Sequence, residues 1–171
     1  MIDLLNDNQE FVTDFVVGRK RFEAWLQENL FDQLSKEASI DDVERERYYK
    51  DSQERCDIWY SRAGKETWLE LKCCVTNYLH RFTESSTTQN ITNEISEIIR
   101  DAYKLARLPA SFERRILFLG YPLPADHRDH SSWCAHLQRI DESPGKIVDS
   151  HEFSLRRNEA SALIILYDCQ I

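Results

Sequence analysis

The spacing of apolar residues along this chain changes several times, and each change marks an element. Residues 8–17 (NQEFVTDFVV) predict a short helix that Gly18 ends. Over residues 19–37, Phe22, Trp25, Leu26, Leu30 and Leu34 recur at three- and four-residue steps, the single apolar stripe of a helix that buries one side. A polar turn over 39–42 leads to residues 43–50 (VERERYYK), which alternate as an edge strand does. Two apolar, aromatic runs follow, 56–60 and 67–75, joined at Ala63-Gly64-Lys65, and together they predict a hairpin. A Ser/Thr-rich loop over 83–90 separates it from a helix over 91–108, whose apolar face is Ile91, Ile95, Ile98, Ile99, Ala102, Leu105 and Ala106 and which Pro109 stops. Residues 114–123 (RRILFLGYPL) hold the continuous apolar run of a buried central strand. A short helix from Ser131 and two closing strands, over 146–155 and 161–169, complete the order. With no internal repeat and no linker, residues 1–171 read as one domain.

Three ionisable residues interrupt the hairpin. Asp57 stands near the start of its first strand, and Glu70 and Lys72 stand in the middle of its second. Side chains alternate along a strand, so Glu70 and Lys72 share one face while Leu69, Leu71 and Cys73 take the other. Charge in such a strand is costly unless something pairs with it. Two carboxylates and an ammonium converging on one spot suit a divalent cation.

Asp57 followed by Glu70-Leu71-Lys72 resembles the PD-(D/E)xK motif of the restriction-endonuclease-like nucleases, D-x(n)-E-x-K on a β-hairpin. The resemblance covers about residues 19–123, where the predicted elements run helix, three strands, helix, strand. It implies an α/β fold with a restriction-endonuclease-like core (α-βββ-α-β), a mixed central sheet flanked by helices, here extended by a C-terminal helix and two strands. It further implies that Asp57 and Glu70 hold Mg²⁺ or Mn²⁺ and that Lys72 activates the attacking water or steadies charge at the phosphate. The family often adds a glutamate from the first helix. Glu23 is the choice here ahead of Glu28, and Glu46 in the first strand is a weaker candidate. The proline of the family's name is absent, since Cys56 precedes Asp57. The activity implied is metal-dependent hydrolysis of phosphodiester bonds, in DNA ahead of RNA, in restriction, repair or defence against mobile elements. A homodimer or a complex with a partner protein would suit cutting of both strands.

Composition modifies this reading in one respect. The chain has 30 Asp and Glu against 22 Lys and Arg, a net charge of −8, where a nucleic-acid binder ordinarily shows a basic footprint. Basic residues cluster only locally, at Arg19-Lys20-Arg21, Arg45 and Arg47, Arg114-Arg115 and Arg156-Arg157. The acidic balance therefore keeps a second class open: a catalytically inactive subunit of the same fold that binds a protein or a nucleic acid. Five cysteines form no C-x-x-C pair, and the odd count fits a reduced, cytoplasmic protein. No apolar run is long enough for a membrane helix, and the acidic N-terminus lacks the pattern of a signal peptide.

Two further groups invite function and have plainer readings. Trp59, Tyr60 and Trp68 offer faces on which bases could stack, but cross-strand packing is their commoner use. Asp126, His127, Asp129, His130, Cys134 and His136 crowd together, yet their spacing matches no paired zinc-ligand pattern, so a solvated loop or helix start is expected there. No nucleophile elbow or Gly-rich phosphate loop occurs.

Overall fold

The computed structural model describes residues 1–18, 20–50, 52–78, 91–157 and 160–171. The helices are α1 (Ile2–Asp7), α2 (Gln9–Val17), α3 (Glu23–Lys36), α4 (Ile91–Leu105) and α5 (Ser131–Asp141). The strands are β1 (Asp42–Tyr48), β2 (Arg55–Arg62), β3 (Lys65–Val75), β4 (Glu113–Leu123), β5 (Lys146–Arg157) and β6 (Ala160–Gln170). They form a six-stranded sheet in the order β1-β2-β3-β4-β6-β5. Only β3 and β4 run parallel, because α4 carries the chain back between them, so the sheet is mixed.

Each face of the sheet has its own core. Leu69, Leu71, Cys73 and Val75 of β3 face α1–α3, meeting Leu4, Val16, Phe22, Leu26 and Leu30. Trp68 and Cys74 look the other way, toward Ile91, Ile95, Ile98, Ala102 and Leu105 of α4 and Trp133 of α5. Adjacent Cys73 and Cys74 thus enter different cores, as alternation requires. The fully buried Trp133 packs so closely on β4 that a Cβ on Gly120 would lie 2.9 Å from its ring. Glycine is therefore required at 120 by the approach of the indole. Pro122 has no N–H to give to the ladder, and the β4–β6 register shifts between Gly120 and Leu123.

The observed elements correct the sequence reading at their ends. The first long helix begins at Glu23, not at 19, and the fourth ends at Leu105, short of 108. Strand β1 runs from Asp42 to Tyr48, so Asp42 leaves the predicted turn and Tyr49 and Lys50 leave the strand. A helix over Ile2–Asp7 precedes the predicted one, although its sequence is acidic. The loop predicted over 83–90, and Arg19 of the first basic cluster, lie outside the described residues. Among the described residues no helix is long and apolar enough to cross a membrane.

The hairpin turn is at Ala63-Gly64, where both residues have positive φ (50° and 74°). That is the conformation of a two-residue turn matched to strand twist, and it favours Asn-Gly. An alanine held there costs about 1 kcal/mol or more. Ala63→Asn is therefore expected to stabilise the protein by about 0.5–1 kcal/mol, read as a raised urea midpoint. An unchanged or lowered midpoint would show that the turn is not strained at Ala63.

Candidate active site

The site forms where two paired strands part. Pairing of β2 with β3 stops at Ile58↔Leu69, one step short of Asp57 and Glu70. Beyond that point the N–H groups of Leu71 and Cys73 on the β2 side of β3 need other acceptors, since buried backbone donors are rarely left unmet. Carboxylates supply them. Asp57 Oδ2 accepts the Leu71 N–H at 2.6 Å, and Glu23 Oε2 accepts the Cys73 N–H at 3.0 Å. Gln27, one turn after Glu23 on α3, donates to the carbonyl of Asp57 at 2.8 Å and to Glu46 Oε1 at 3.0 Å. Glu46 itself has a φ of 56°, the left-handed region that a non-glycine residue adopts at a cost. Thus α3, β1, β2 and β3 meet at Asp57.

From the opposite face α4 adds two residues. Asp101 and Lys104, one turn apart, both point at the sheet. Lys104 Nζ lies 2.7 Å from Glu70 Oε1 and 3.0 Å from Asp101 Oδ1. Lys72 Nζ lies 3.2 Å from Asp101 Oδ2 and 3.7 Å from Glu23 Oε1. Tyr49 donates its phenol hydrogen to the same Glu70 oxygen that Lys104 contacts. Four carboxylates, Glu23, Asp57, Glu70 and Asp101, therefore surround two ammonium groups.

Burial controls the protonation of this cluster. Glu70 is 2% exposed, and burial, then the charges of Asp57 and Asp101, push its carboxyl up to about 8 against the pull of Lys104. Burial likewise raises Asp57 and Glu23 above the ordinary carboxylate range. With its carboxyl raised to about 8, Glu70 retains its proton near neutral pH. Lys72 is affected most by burial, which favours its neutral form. Asp101, Glu23 and Asp57 together outweigh that, and its ammonium is held more firmly than in water. A lysine so held is a poor base and a good fixed positive charge.

No protein-family model, curated protein or solved structure matches this chain. The site must therefore be read from its own geometry. Its donors are of the kind a hard divalent cation takes: all are oxygens, and four carboxyl groups stand around two ammonium groups. Among the described residues no three His, Cys, Asp or Glu side chains are already gathered as a ready ligand set. The oxygens are turned instead to Lys104, Tyr49 and the two peptide N–H groups.

Of the residues singled out in the sequence, Glu23, Asp57, Glu70 and Lys72 come together, whereas Glu28 is exposed on the outer face of α3. Glu46 borders the cluster through Gln27 and ion-pairs with Arg55 at 3.8 Å. Trp59 and Trp68 are buried, their indole N–H groups both donating to Glu66, so they pack the core and offer no stacking platform. His127, expected in a solvated loop, is buried with Nδ1 3.2 Å from the Pro124 carbonyl. The described arginines of the basic clusters are largely committed locally: Arg21 to Glu94, Arg47 over the Trp59 ring, Arg114 to the Leu108 and Ile171 carbonyls, and Arg115 to Glu113 and Asp168.

Sequence reading missed Tyr49, Asp101 and Lys104. For Asp101 a signal existed: with Glu94, Ile98 and Leu105 it falls on the buried stripe of α4, where an acid needs a partner. For Tyr49 none did, because its use depends on the strand ending at Tyr48.

Proposed function

We propose that this protein is a metal-dependent nuclease of the restriction-endonuclease-like class, hydrolysing phosphodiester bonds in DNA ahead of RNA. The order α3-β1-β2-β3-α4-β4 supports the corresponding core, with β5, β6 and α5 as its extension. The observation that carries the reading is the parting of β2 and β3 at Asp57 and Glu70, with Glu23 and Lys72 drawn to the same place. No packing need explains one buried acid, two half-buried ones and a lysine there.

Asp57 and Glu70 would hold Mg²⁺ or Mn²⁺, with Glu23 as the supporting carboxylate. Such an ion supplies Lewis-acid polarisation of a phosphoryl oxygen and of a water. Lys72 serves as a fixed cation, offsetting charge that grows on the phosphoryl oxygens and orienting the water, and it does not remove the water's proton. Gln27 and the Leu71 N–H hold Asp57 in position from two sides.

The second class, a non-catalytic subunit of the same fold, is favoured by one observation. Glu70 is almost fully covered, and one of its oxygens is already taken by both Tyr49 and Lys104. Incubation with plasmid, linear duplex, single-stranded DNA and RNA, with Mg²⁺ or Mn²⁺ and with chelator, separates the two. The nuclease reading expects metal-dependent cutting that Lys72→Ala lowers on the order of 10²- to 10⁴-fold. No cutting of any substrate, together with no metal uptake, would instead assign the non-catalytic role.

A further inference from the structure

The two edges of the sheet are finished differently. On β1 five of the seven residues are charged, Asp42 Oδ1 accepts the Val43 N–H at 2.9 Å, and the left-handed Glu46 breaks the run of outward backbone groups. Charge and local distortion of this kind close an edge to further pairing. On β5 only the first half is closed. The Ile147 N–H is accepted by Asp141 Oδ1 and the Ser150 N–H by Asp149 Oδ1, both at 2.8 Å.

From Glu152 to Arg156 the β5 edge is open. The Ser154 carbonyl points away from β6, since it accepts the Gln9 side-chain N–H at 2.9 Å. In an antiparallel ladder a residue's N–H and C=O point the same way, and alternate residues share that direction. Glu152, Ser154 and Arg156 therefore turn their backbone groups outward. Among the described residues only the Ser154 carbonyl has a partner on that side.

Helix α2 overhangs this edge. Gln9, Glu10, Thr13 and Asp14 of the helix and Ser154 and Arg156 of the strand line a groove of about 440 Å³. Glu10 and Asp14 stand one turn apart, both exposed, and neither makes an ion pair among the described residues. Like charges at this spacing work against a helix, and a cation between them relieves both. Arg156 does not supply it, because alternation from the buried Leu155 sends its side chain to the opposite face of the sheet.

An open strand edge beside a helix is the form that takes up an extended peptide as an added strand. A second copy of this chain fits poorly. A twofold pairing β5 with β5 keeps both α2 helices on one face of the joined sheet and turns their Glu10 and Asp14 toward each other.

We propose that the β5 edge from Glu152 to Arg156, with α2 above it, is a docking groove for an extended segment of a partner protein that carries lysine or arginine on its α2 side. The segment's backbone pairs with Glu152, Ser154 and Arg156, and one of its N–H groups displaces the Gln9 amide from the Ser154 carbonyl. Its cations settle against Glu10 and Asp14. About five residues suffice, since alternate residues of the added strand meet the three outward ones. This docking role is independent of the nuclease reading.

Fluorescence polarisation of the full chain tests it with two labelled seven-residue peptides, one alternating valine with lysine and one alternating valine with glutamate. The lysine peptide is expected to bind about tenfold more tightly or better, and amide exchange to slow at Glu152, Ser154 and Arg156 in the complex. Ser154→Pro removes an outward N–H and leaves the β6 ladder intact, so it should weaken binding about tenfold or more. Asp14→Lys should weaken the lysine peptide about tenfold and favour the glutamate one. Lysine-peptide binding that Ser154→Pro or Asp14→Lys leaves unchanged would overturn the proposal, since it would reflect the chain's net negative charge alone. No binding of either peptide at about 1 mM would overturn it too. So would a dimer in sedimentation that Ser154→Pro dissociates, which gives the edge to a second copy. Should circular dichroism show Ser154→Pro unfolded, the exchange pattern and Asp14→Lys decide.

Discussion

Glu70→Gln is expected to abolish cleavage and at the same time to stabilise the protein. The two effects have one cause. A carboxyl raised from its ordinary 4.5 to about 8 in the folded state is easier to ionise when the chain is unfolded. Its cost is absent below about pH 4.5, grows as the pH rises between the two values, and is constant above about 8. At pH 7 this is on the order of 3 kcal/mol, and an uncharged amide of the same shape avoids it. Glutamine keeps an oxygen for Tyr49 and Lys104, while Lys104 keeps Asp101. Urea unfolding at pH 5 and pH 8 measures the difference. The wild type should lose stability between the two values more steeply than Glu70→Gln, and the variant should be the more stable at pH 8. A variant less stable than the wild type at pH 8 would mean that Glu70 is chiefly a structural partner of Lys104, contrary to a functional site maintained against stability.

The second large effect is expected far from the cluster. Trp133→Ala should cost about 3–5 kcal/mol, because it removes a fully buried indole from the core between β4, α4 and α5. It also leaves the Tyr167 hydroxyl without the indole N–H that now donates to it at 2.9 Å. Trp133→Phe keeps most of the volume and should cost about half as much. Equilibrium unfolding in urea compares the three. The wild type should unfold in one transition, since α5 joins the core on the α4 side and β5 and β6 join both cores, together with helices and strands that precede them. A loss below about 1 kcal/mol for Trp133→Ala, or a separate early transition, would show that the C-terminal extension is an appendage and not part of the domain.

That outcome bears on how the chain encodes its fold. The sequence marks the extension as an addition after 123, yet Trp133 reaches back to Gly120 and Cys169 and Tyr167 lie in the same core as Ile98. Elements with strong local periodicity were legible: the α3 and α4 stripes, the hairpin with its glycine turn, the apolar β4 and the closing pair of strands all stand close to where the pattern of residues placed them. Their ends were not, because helix and strand termini depend on partners. Here α3 starts where Glu23 can reach the Cys73 N–H, and β1 stops so that Tyr49 can reach Glu70.

The sequence by itself determined an α/β chain with alternating strands around Glu70 and Lys72, and it placed those two on the face opposite Leu69 and Leu71, because strand alternation is local geometry. It also singled out Asp57 as an acid that could join them, and the family resemblance added a glutamate of the first helix, Glu23 ahead of Glu28. Only the tertiary structure decided that β2 leaves β3 just before Asp57, that carboxylates replace the missing ladder partners, and that α4 lays Asp101 and Lys104 over Glu70. These are contacts between residues 14 to 50 positions apart, or between a helix and the strand it crosses back over. No periodicity within one segment carries such information, since it arises from how the segments pack.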